Sequence, residues 1–310
     1  MFNKSISVMA MLLLSLQSVA CDVCGCAINP GGGEIVPGMF QHYFGARSNI
    51  RSFSSQHLTL FEDEIPLKTE EWFHTTEFHF RYSPHRRVQI FGFVPINALW
   101  KLEEEVMHTI QGMGDFRLRA NYVVIDKKDD ESGKPLMNLF LGSSLKMPTG
   151  RSEYRNTQEQ SLFHRNMLPG TGSWDVAGHF DFVYGKNNFG GMLNATYMWR
   201  GSNNYQYDFG NLFVSQLTGF YKHKMNGSSF LFELGVSFVD MQPDLDTRWN
   251  ELQVYSQGTM LAPMARVSYF KNNWMFQTSA NKAAWEDMAQ GQVSHNYHLE
   301  VGVMYFINGK

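Results

Sequence analysis

The sequence predicts an all-β protein, a transmembrane antiparallel up-and-down β-barrel of about 12 strands that follows an N-terminal signal peptide. Three observations favour this fold: side chains alternate with a period of two, the alternating segments are longer than ordinary strands, and the connections alternate in length. The chain has 310 residues, enough for one large domain. Its 26 basic and 29 acidic residues nearly balance, which argues against a nucleic-acid-binding protein.

Residues 1–20 are predicted to be a secretory signal peptide. Lys4 supplies a positive start, Ile6 to Leu16 is mostly apolar, and Ser18-Val19-Ala20 places small residues before a cleavage site. The apolar core is too short for a transmembrane helix, and no later stretch approaches the ~18 consecutive apolar residues of one. The mature chain is therefore expected to be exported without a helical span, as a soluble periplasmic protein or an outer-membrane barrel.

The alternation is clearest between Asp115 and Val124, where charged and amide side chains face one way and apolar side chains the other. About twelve such segments of ~11–15 residues run through the chain. They lie near residues 38–48, 70–82, 87–98, 113–125, 136–148, 173–185, 188–200, 209–223, 229–240, 258–270, 273–284 and 295–307. Strands in soluble proteins mostly have about 5–6 residues, whereas strands that cross a bilayer at a tilt need about 9–11. Segment length therefore favours a membrane barrel over a β-sandwich.

The connections between these segments alternate in length. Tight polar turns such as Ser83 to Arg86 and Lys271 to Asn273 are separated by mostly longer connections near 49–69, 99–112, 149–172, 201–208, 241–257 and 285–294. Outer-membrane barrels have short periplasmic turns and long external loops, so both termini are expected in the periplasm. The prediction is a barrel over residues 38–310 in the cell outer membrane, with the lipid bilayer and the barrel-assembly machinery as partners.

Three short motifs resemble a known family. Met113 to Tyr122 (MGDFRLRANY), Leu145 to Gly150 (LKMPTG) and Pro169 to Asp175 (PGTGSWD) look like consecutive motifs of an outer-membrane family named for the meta-pathway of phenol degradation, often labelled simply "transporter". The resemblance covers about 65 residues in family order. It implies an outer-membrane β-barrel and the passage of small hydrophobic or aromatic molecules, and it transfers no catalytic residues.

The motif residues have expected roles where loops enter strands. The residues concerned are Gly114, Asp115, Pro148, Thr149, Gly150, Pro169, Gly170 and Gly172. Gly112, Gly114, Gly170 and Gly172 are expected to adopt positive φ, and Pro148 to end its strand because it donates no ladder hydrogen bond. Asp115 and Asp175 are expected to accept hydrogen bonds from loop amides, and a contribution to solute selection at the rim is the alternative.

The polar face of the strands predicts the residues that line the lumen. They are Glu77, His79, Arg81, Arg117, Arg119, Asp175, His179, Asp181 and Glu233. Charges of both signs either fill a narrow barrel with salt bridges or line a water path. A twelve-stranded barrel is narrower than a 16-stranded porin, so a narrow or plugged channel is expected.

The three cysteines lie together in a Cys/Gly-rich N-terminal arm, residues 21–37. Cys21, Cys24 and Cys26 are soft ligands that suit copper(I) or zinc, so the arm is a candidate metal site. Two alternatives stay open: a local disulfide in the oxidising periplasm, and lipidation of Cys21 after signal-peptide cleavage. No cofactor is firmly predicted.

The sequence thus predicts a channel or transporter for small solutes, either hydrophobic or aromatic compounds or metal-related cargo, with the Cys-rich arm in the periplasm. A structural or assembly barrel with a closed lumen is the alternative. A barrel-embedded lipid hydrolase is a weaker alternative, because Ser161 and His164 are neighbours in a long loop but no nucleophile motif surrounds them. The protein is therefore not expected to be an enzyme.

Overall fold

The computed structural model describes residues 41–57, 67–128 and 135–307. The predicted signal peptide and the Cys-rich arm lie outside the described residues. In these ranges extended segments dominate, and the one α-helix is the short α1 (Thr157–Leu162). The strands are β1 (His42–His57), β2 (Leu67–His85), β3 (Val88–Glu103), β4 (Val106–Met113), β5 (Arg117–Lys127), β6 (Leu136–Lys146), β7 (Asp175–Lys186), β8 (Phe189–Trp199), β9 (Tyr207–Asp208), β10 (Leu212–Met225), β11 (Ser228–Met241), β12 (Asp244–Asp246), β13 (Glu251–Gln253), β14 (Gly258–Lys271), β15 (Trp274–Asn281), β16 (Trp285–Met288) and β17 (Val293–Ile307).

The long strands form one closed antiparallel barrel. Each pairs with its neighbours in chain order, and β1 closes the wall by pairing with β17 from His42–Ile307 to Ser55–Val293. β4 and β5 are two parts of one wall strand interrupted at 114–116, and β15 and β16 are likewise interrupted at 282–284. The described residues therefore give twelve strands in the wall, which confirms the predicted fold.

The outer face of the wall forms an apolar band of membrane thickness. On β7 and the residue before it, Trp174, Val176, Phe180 and Tyr184 are exposed and point away from the barrel. Ten residues separate Trp174 from Tyr184, about 33 Å of strand, which spans about 25 Å of membrane at a tilt near 40°. Aromatic side chains mark both edges of this band, as at the two interfaces of a membrane barrel. Among the described residues, no helix is long and apolar enough to span a bilayer.

The strands extend further on the external side than the alternation predicts. β1 continues to His57, and the predicted long connection at 99–112 is a hairpin of β3 and β4 that turns at Glu104 and Glu105. Both glutamates have positive φ, 47° and 67°. Above the membrane neither strand face contacts lipid, so the apolar alternation fades while the backbone pairing continues.

The lumen is filled in three layers. An external apolar layer includes Phe53, Phe73, Leu99, Met241 and Met260, and a periplasmic apolar layer includes Phe91, Phe93, Phe140, Phe220 and Phe306. Between them lies a central polar layer that includes Arg47, Glu77, Arg119, Asp181, Glu233 and Arg266, all of them buried. The distribution of side chains differs from that of a soluble protein: apolar side chains cover the outer face of the wall, and charged side chains are buried in the central layer of the lumen.

The external connections cover the mouth of the barrel. The segment 147–174, here called the inward loop, contains α1, whose N-cap Asn156 accepts a hydrogen bond from the Glu159 amide at 2.8 Å. A small sheet of β13, β12 and β9 stands beside it. The buried carboxylate of Asp244 joins these parts, because it accepts hydrogen bonds from Tyr207 Oη at 2.8 Å, from the Gly210 amide at 2.6 Å and from Asn166 Nδ2.

Candidate functional site

The three motifs that are far apart in the sequence meet at one point in the barrel mouth. Asp115 Oδ1 accepts a hydrogen bond from the Gly150 amide at 2.9 Å, and Oδ2 accepts from the amide and the hydroxyl of Thr171, each at 2.8 Å. Lys146, at the end of β6, places Nζ 3.3 Å from Asp115 Oδ2 and 2.6 Å from Asp175 Oδ2. We call Asp115, Lys146 and Asp175 the Asp–Lys clamp.

The clamp fixes both ends of the inward loop. Gly150 lies shortly after the end of β6 and Thr171 shortly before the start of β7, so Asp115 binds the beginning and the end of the same loop. Asp175 adds a third connection, because its Oδ1 accepts from Ser173 Oγ at 2.8 Å and from the Gly201 amide at 3.1 Å. These are the loop-amide hydrogen bonds expected for Asp115 and Asp175.

The motif glycines are required by close packing rather than by positive φ. A Cβ on Gly150 would lie 2.5 Å from the carbonyl carbon of Gly114, and one on Gly170 would lie 2.8 Å from the Cα of Gly150. The expectation of positive φ is therefore wrong for Gly112, Gly114 and Gly170, since among the four only Gly172 has it, at 72°. The backbones of three segments approach so closely here that no side chain fits between them.

The prolines and Thr149 of the motifs lie beside the clamp. β6 ends at Lys146, two residues before Pro148. Thr149 Oγ1 accepts a hydrogen bond from the Phe116 amide at 2.9 Å, and the Pro169 carbonyl accepts one from Asn97 Nδ2 at 2.6 Å. The inward loop is thus tied to β3, to the break between β4 and β5, and to the end of β6.

The middle of the inward loop is part of the external apolar layer. Phe163, Met167 and Leu168 are each almost completely buried among the wall side chains of that layer. The loop is stiffened from within by Tyr154, whose hydroxyl donates to the Phe163 carbonyl at 2.9 Å, and by an ion pair between Arg151 and Glu159. The clamp and this apolar contact together hold the loop in the mouth.

A cavity of about 90 Å³ lies between the clamp and the central polar layer. It has room for a few water molecules. Cations and anions both face it: Lys146, Arg117 and Arg200 against Asp115, Asp175 and Glu77. A second cavity of about 50 Å³ lies across the lumen and is bordered by Arg51, Arg266, His298 and Glu300. The polar interior is therefore not completely filled by side chains.

The predicted lumen residues lie on the inward face of the wall, most of them in the central layer. Glu77 pairs with Arg47 at 2.5 Å and with Arg117 at 3.7 Å. Arg119 pairs with Asp181, which also accepts from Asn194 Nδ2 at 2.7 Å. His179 joins Ser144 and Thr196, at 2.8 and 2.9 Å. Glu233 lies 3.4 Å from Arg266.

The remaining two predicted lumen residues lie towards the periplasmic end. His79 packs edge-on against Tyr43, and the Arg81 guanidinium stacks over the ring of the same tyrosine at 4.8 Å. Arg81 Nε donates to the Gln41 carbonyl at 2.8 Å. These contacts place the His79 ring and the Arg81 guanidinium against the periplasmic apolar layer.

Sequence reasoning missed Arg47, Lys146 and Arg266 as interior residues. Lys146 lies within a predicted strand and inside the second motif, so its position was an available signal. Arg47 is at the end of the first predicted segment, where the polar residues Ser48, Asn49 and Arg51 follow and obscure the alternation. The pairing of Arg47 with Glu77 depends on the register between β1 and β2, which the sequence does not show.

Ser161 and His164 are placed in different surroundings. Ser161 is exposed and donates to the Gln158 carbonyl at 2.9 Å, whereas the His164 ring packs edge-on against Tyr207. Burial lowers the pKa of His164 to about 4, although the nearby Asp244 carboxylate acts in the opposite direction. Among residues 41–57, 67–128 and 135–307, no group of three His, Cys, Asp or Glu side chains is arranged to hold a metal ion. The predicted ligands Cys21, Cys24 and Cys26 are outside those ranges.

Comparisons with known proteins find similarity to solved structures. No family model matches the chain, and no curated protein matches it. The structure is similar to that of an outer membrane channel from Pseudomonas putida F1, with a TM-score of 0.62 and 16% identity, covering 90% of this chain and 100% of that one. Similarity to the β domain of the Bordetella autotransporter BrkA is lower, with a TM-score of 0.49, 10% identity, and coverage of 86% of this chain and 100% of that one.

At sequence identities this low, the structural similarity supports a shared fold and does not show a shared function. The resemblance to the phenol meta-pathway family stays a prediction. The closed wall of twelve antiparallel strands, the apolar outer band and the similarity to the Pseudomonas channel agree with one another. The protein is an outer-membrane β-barrel.

Proposed function

We propose that the protein is an outer-membrane channel for small solutes whose mouth is closed by the inward loop. The observation that carries this proposal is the Asp–Lys clamp, which joins three separate segments at the external end of the lumen. A buried ion cluster is a weak source of stability, because the cost of desolvation offsets the attraction between the charges. The Asp–Lys clamp instead contributes specificity, because its contacts can form in one position of the inward loop.

The clamp is suited to a reversible closure. The backbone hydrogen bonds of the wall do not depend on Lys146, so the loop is able to leave the lumen while the barrel stays intact. Removing the ammonium group leaves Asp115 and Asp175 facing each other, which destabilises the closed loop. An opened loop would expose the 90 Å³ cavity and the charged central layer beneath it.

The layered lumen supports a proposal for the kind of solute that passes through it. Apolar constrictions exclude water and ions when they are narrow, whereas a polar layer with both charge signs tolerates dipolar solutes. We therefore propose small, partly apolar solutes as cargo, in agreement with the hydrophobic or aromatic molecules that the motif resemblance implies. Metal-related cargo is the variant in which Cys21, Cys24 and Cys26 collect copper or zinc at the periplasmic side.

The other expectations complete this proposal. Residues 1–20 would be removed as a signal peptide, the barrel-assembly machinery would insert the chain, and Cys21 would carry lipid, bind metal or form a local disulfide. The protein would act without catalysis. The intact mass of the mature N-terminus distinguishes lipidation from a free cysteine, and a triple Cys→Ser variant tests whether metal binding depends on the arm.

A second function is favoured by the two apolar layers. They fill the lumen at both ends, as in a structural or assembly barrel that conducts nothing. The two functions differ in one measurable property, the flux of small solutes through the protein.

The test is solute flux in proteoliposomes that contain the wild-type protein or a Lys146→Met variant. Lys68→Met is the matched control, because Lys68 is exposed on β2 and outside the clamp. We expect Lys146→Met to raise the flux while the control does not, with all three proteins keeping the heat-dependent gel migration of a folded barrel. Equal flux in wild type and Lys146→Met would contradict closure by the clamp. A sealed membrane with all variants would favour the structural function.

A further inference from the structure

The short turns at the periplasmic end of the barrel carry basic residues in every case. The five turns follow β2, β5, β7, β10 and β14, and each has at least one exposed lysine or arginine. These residues form what we call the basic rim: Arg86, Arg87, Lys127, Lys128, Lys186, Lys224 and Lys271. Among the described residues of these turns, Asp126 is the one exposed acid. In the sequence the turn after β5 also carries Asp129, Asp130 and Glu131, whereas every charged residue of the other four turns is basic. Four of the five turns are therefore purely positive.

The external end of the barrel does not share this property. Its exposed charges are of both signs, with Glu104, Glu105, Glu153, Glu251 and Asp287 beside Lys68, Arg155 and Lys282. The net charge of the whole chain is −3, so the positive ring is not a consequence of overall composition. Exposed cations are therefore concentrated at the periplasmic end of the barrel, in the short turns between strands.

The basic rim lies at the level of lipid headgroups. Exposed, lipid-facing aromatic side chains precede or follow the turns, among them Tyr82, Tyr122, Tyr184 and Trp274. Such side chains mark the membrane–water interface. Lys186 is two residues beyond Tyr184, about 7 Å along the strand, which places its ammonium group near the phosphate layer. Arg87 donates to the Tyr122 hydroxyl at 3.3 Å and lies at the same level.

The rim cations are available to a ligand. Among the described residues, no carboxylate forms an ion pair with any of the seven. Their aliphatic stems can follow the apolar band while the charged ends reach the headgroups. Exposed cations at that depth attract anionic headgroups, and salt weakens the attraction.

We propose that the basic rim binds anionic phospholipid headgroups in the periplasmic leaflet and thereby selects the lipids that surround this end of the barrel. The chemistry recognised is a phosphodiester that carries net negative charge, as in phosphatidylglycerol, in preference to a zwitterionic headgroup. Seven cations spread over five turns fit a ring of separate lipids better than one compact ligand. The proposal does not depend on whether the lumen conducts.

The test measures the lipids that stay with the full-length protein. The barrel is reconstituted in vesicles of phosphatidylcholine and phosphatidylglycerol and then extracted with its surrounding lipids into polymer discs. The ratio of phosphatidylglycerol to phosphatidylcholine in the discs is compared with that of the vesicles, at low and at high salt. For the wild type we expect about a twofold or greater enrichment of phosphatidylglycerol at low salt, reduced at high salt.

Two variants make the result specific. In the first, all seven rim residues become glutamine, and we expect the enrichment to be lost. In the second, the external residues Lys68, Arg155 and Lys282 become glutamine, and we expect the enrichment to be kept. If the sevenfold variant does not fold, the triple variant K186Q/K224Q/K271Q replaces it, with partial loss expected.

The opposite outcomes overturn the proposal. A wild-type disc at the bulk lipid ratio would show that the rim does not select lipids, and an acidic periplasmic protein would then be the better partner. Enrichment that persists in the folded rim variant would assign lipid selection to another surface. Solute flux is not measured, so failure here leaves the channel proposal unaffected.

Discussion

Single residues decide the contact between the inward loop and the wall. Gly150 is the clearest case, because the atoms nearest to a Cβ at this position are all backbone, with the Gly114 carbonyl carbon at 2.5 Å and the Asp115 nitrogen at 2.8 Å. Backbone atoms move much less readily than the far end of a flexible side chain. We therefore expect Gly150→Ala to displace the loop and to destabilise its closed position by about 1–3 kcal/mol.

Urea unfolding in lipid bilayers and hydrogen exchange of the loop amides measure this effect. Gly178→Ala is the matched control, since a Cβ there would meet only the Trp199 ring, at 3.7 Å. Alanine at 150 should speed exchange in 147–174, whereas alanine at 178 should not. If hydrogen exchange of the loop amides is unchanged in Gly150→Ala, the backbone segments around Gly114, Gly150 and Gly170 can separate without a cost in free energy.

His164 gives the inward loop a dependence on pH. Burial lowers its pKa to about 4 from the ordinary value of 6.5, with Asp244, Asp246 and Arg165 as the charged groups around it. The closed loop keeps the imidazole neutral, whereas an opened loop lets it take up a proton below pH 6.5. The contribution of His164 to the closed state is therefore complete above pH 6.5 and is lost as the pH falls towards 4.

We expect hydrogen exchange of the loop amides, corrected for the intrinsic rate, to be faster at pH 5 than at pH 7. His164→Gln removes the titrating group and should abolish the difference. A pH effect that survives in this variant would assign it to the surrounding carboxylates instead.

At the scale of elements, the sequence predicts the parts of the wall that contact lipid and misses the parts that do not. The alternation locates β7, β8 and β11 to within a few residues, because lipid on one face and a polar lumen on the other impose opposite demands on adjacent side chains. The external ends of β1 and β3 have no lipid on either face and so show no such pattern.

The candidate site was predictable in part, for a similar reason. Asp115 and Asp175 stand out because each begins a strand on its polar face, and both are in the clamp. Lys146 lies in the second motif, but its partners are not visible in the local sequence, because they depend on the register that brings the end of β6 beside β5 and β7. The sequence shows glycines in the motifs, but the close approach between distant segments that requires them is invisible in a linear sequence.

The inward loop should behave as a separate element when the clamp is weakened. Arg165 is a tryptic site that the closed position protects, because its guanidinium stacks over the ring of Tyr205 at 4.1 Å and lies near the ring of Tyr154 at 5.4 Å. We expect Asp115→Asn to accelerate tryptic cleavage within the loop while the barrel stays folded. Asp126→Asn, at the periplasmic end, is the control. Equal cleavage in all three proteins would contradict a role for the clamp in holding the loop.

At the scale of the whole molecule, the lumen contains two apolar barriers in series around a polar centre. Flux through barriers in series is limited by the larger one, so removing a single barrier has a bounded effect. If the two resistances are equal, opening only the mouth with Lys146→Met raises the flux at most about twofold. The periplasmic layer then limits transport, and Phe91, which is completely buried beside Arg119, is a suitable residue with which to open it.

We therefore expect Phe91→Ala alone to raise solute flux modestly, and the double variant F91A/K146M to raise it by more than the sum of the two single effects. The substitution costs about 3–5 kcal/mol of packing, which the continuous strand pairing of the wall should tolerate. Proteoliposome flux with all four proteins measures this, and heat-dependent gel migration shows that each barrel is folded. Additive effects would indicate two parallel paths, and full flux in Lys146→Met alone would show that the periplasmic layer is no barrier. Two barriers in series predict neither result, because the layer that stays closed in each single variant still limits the flux.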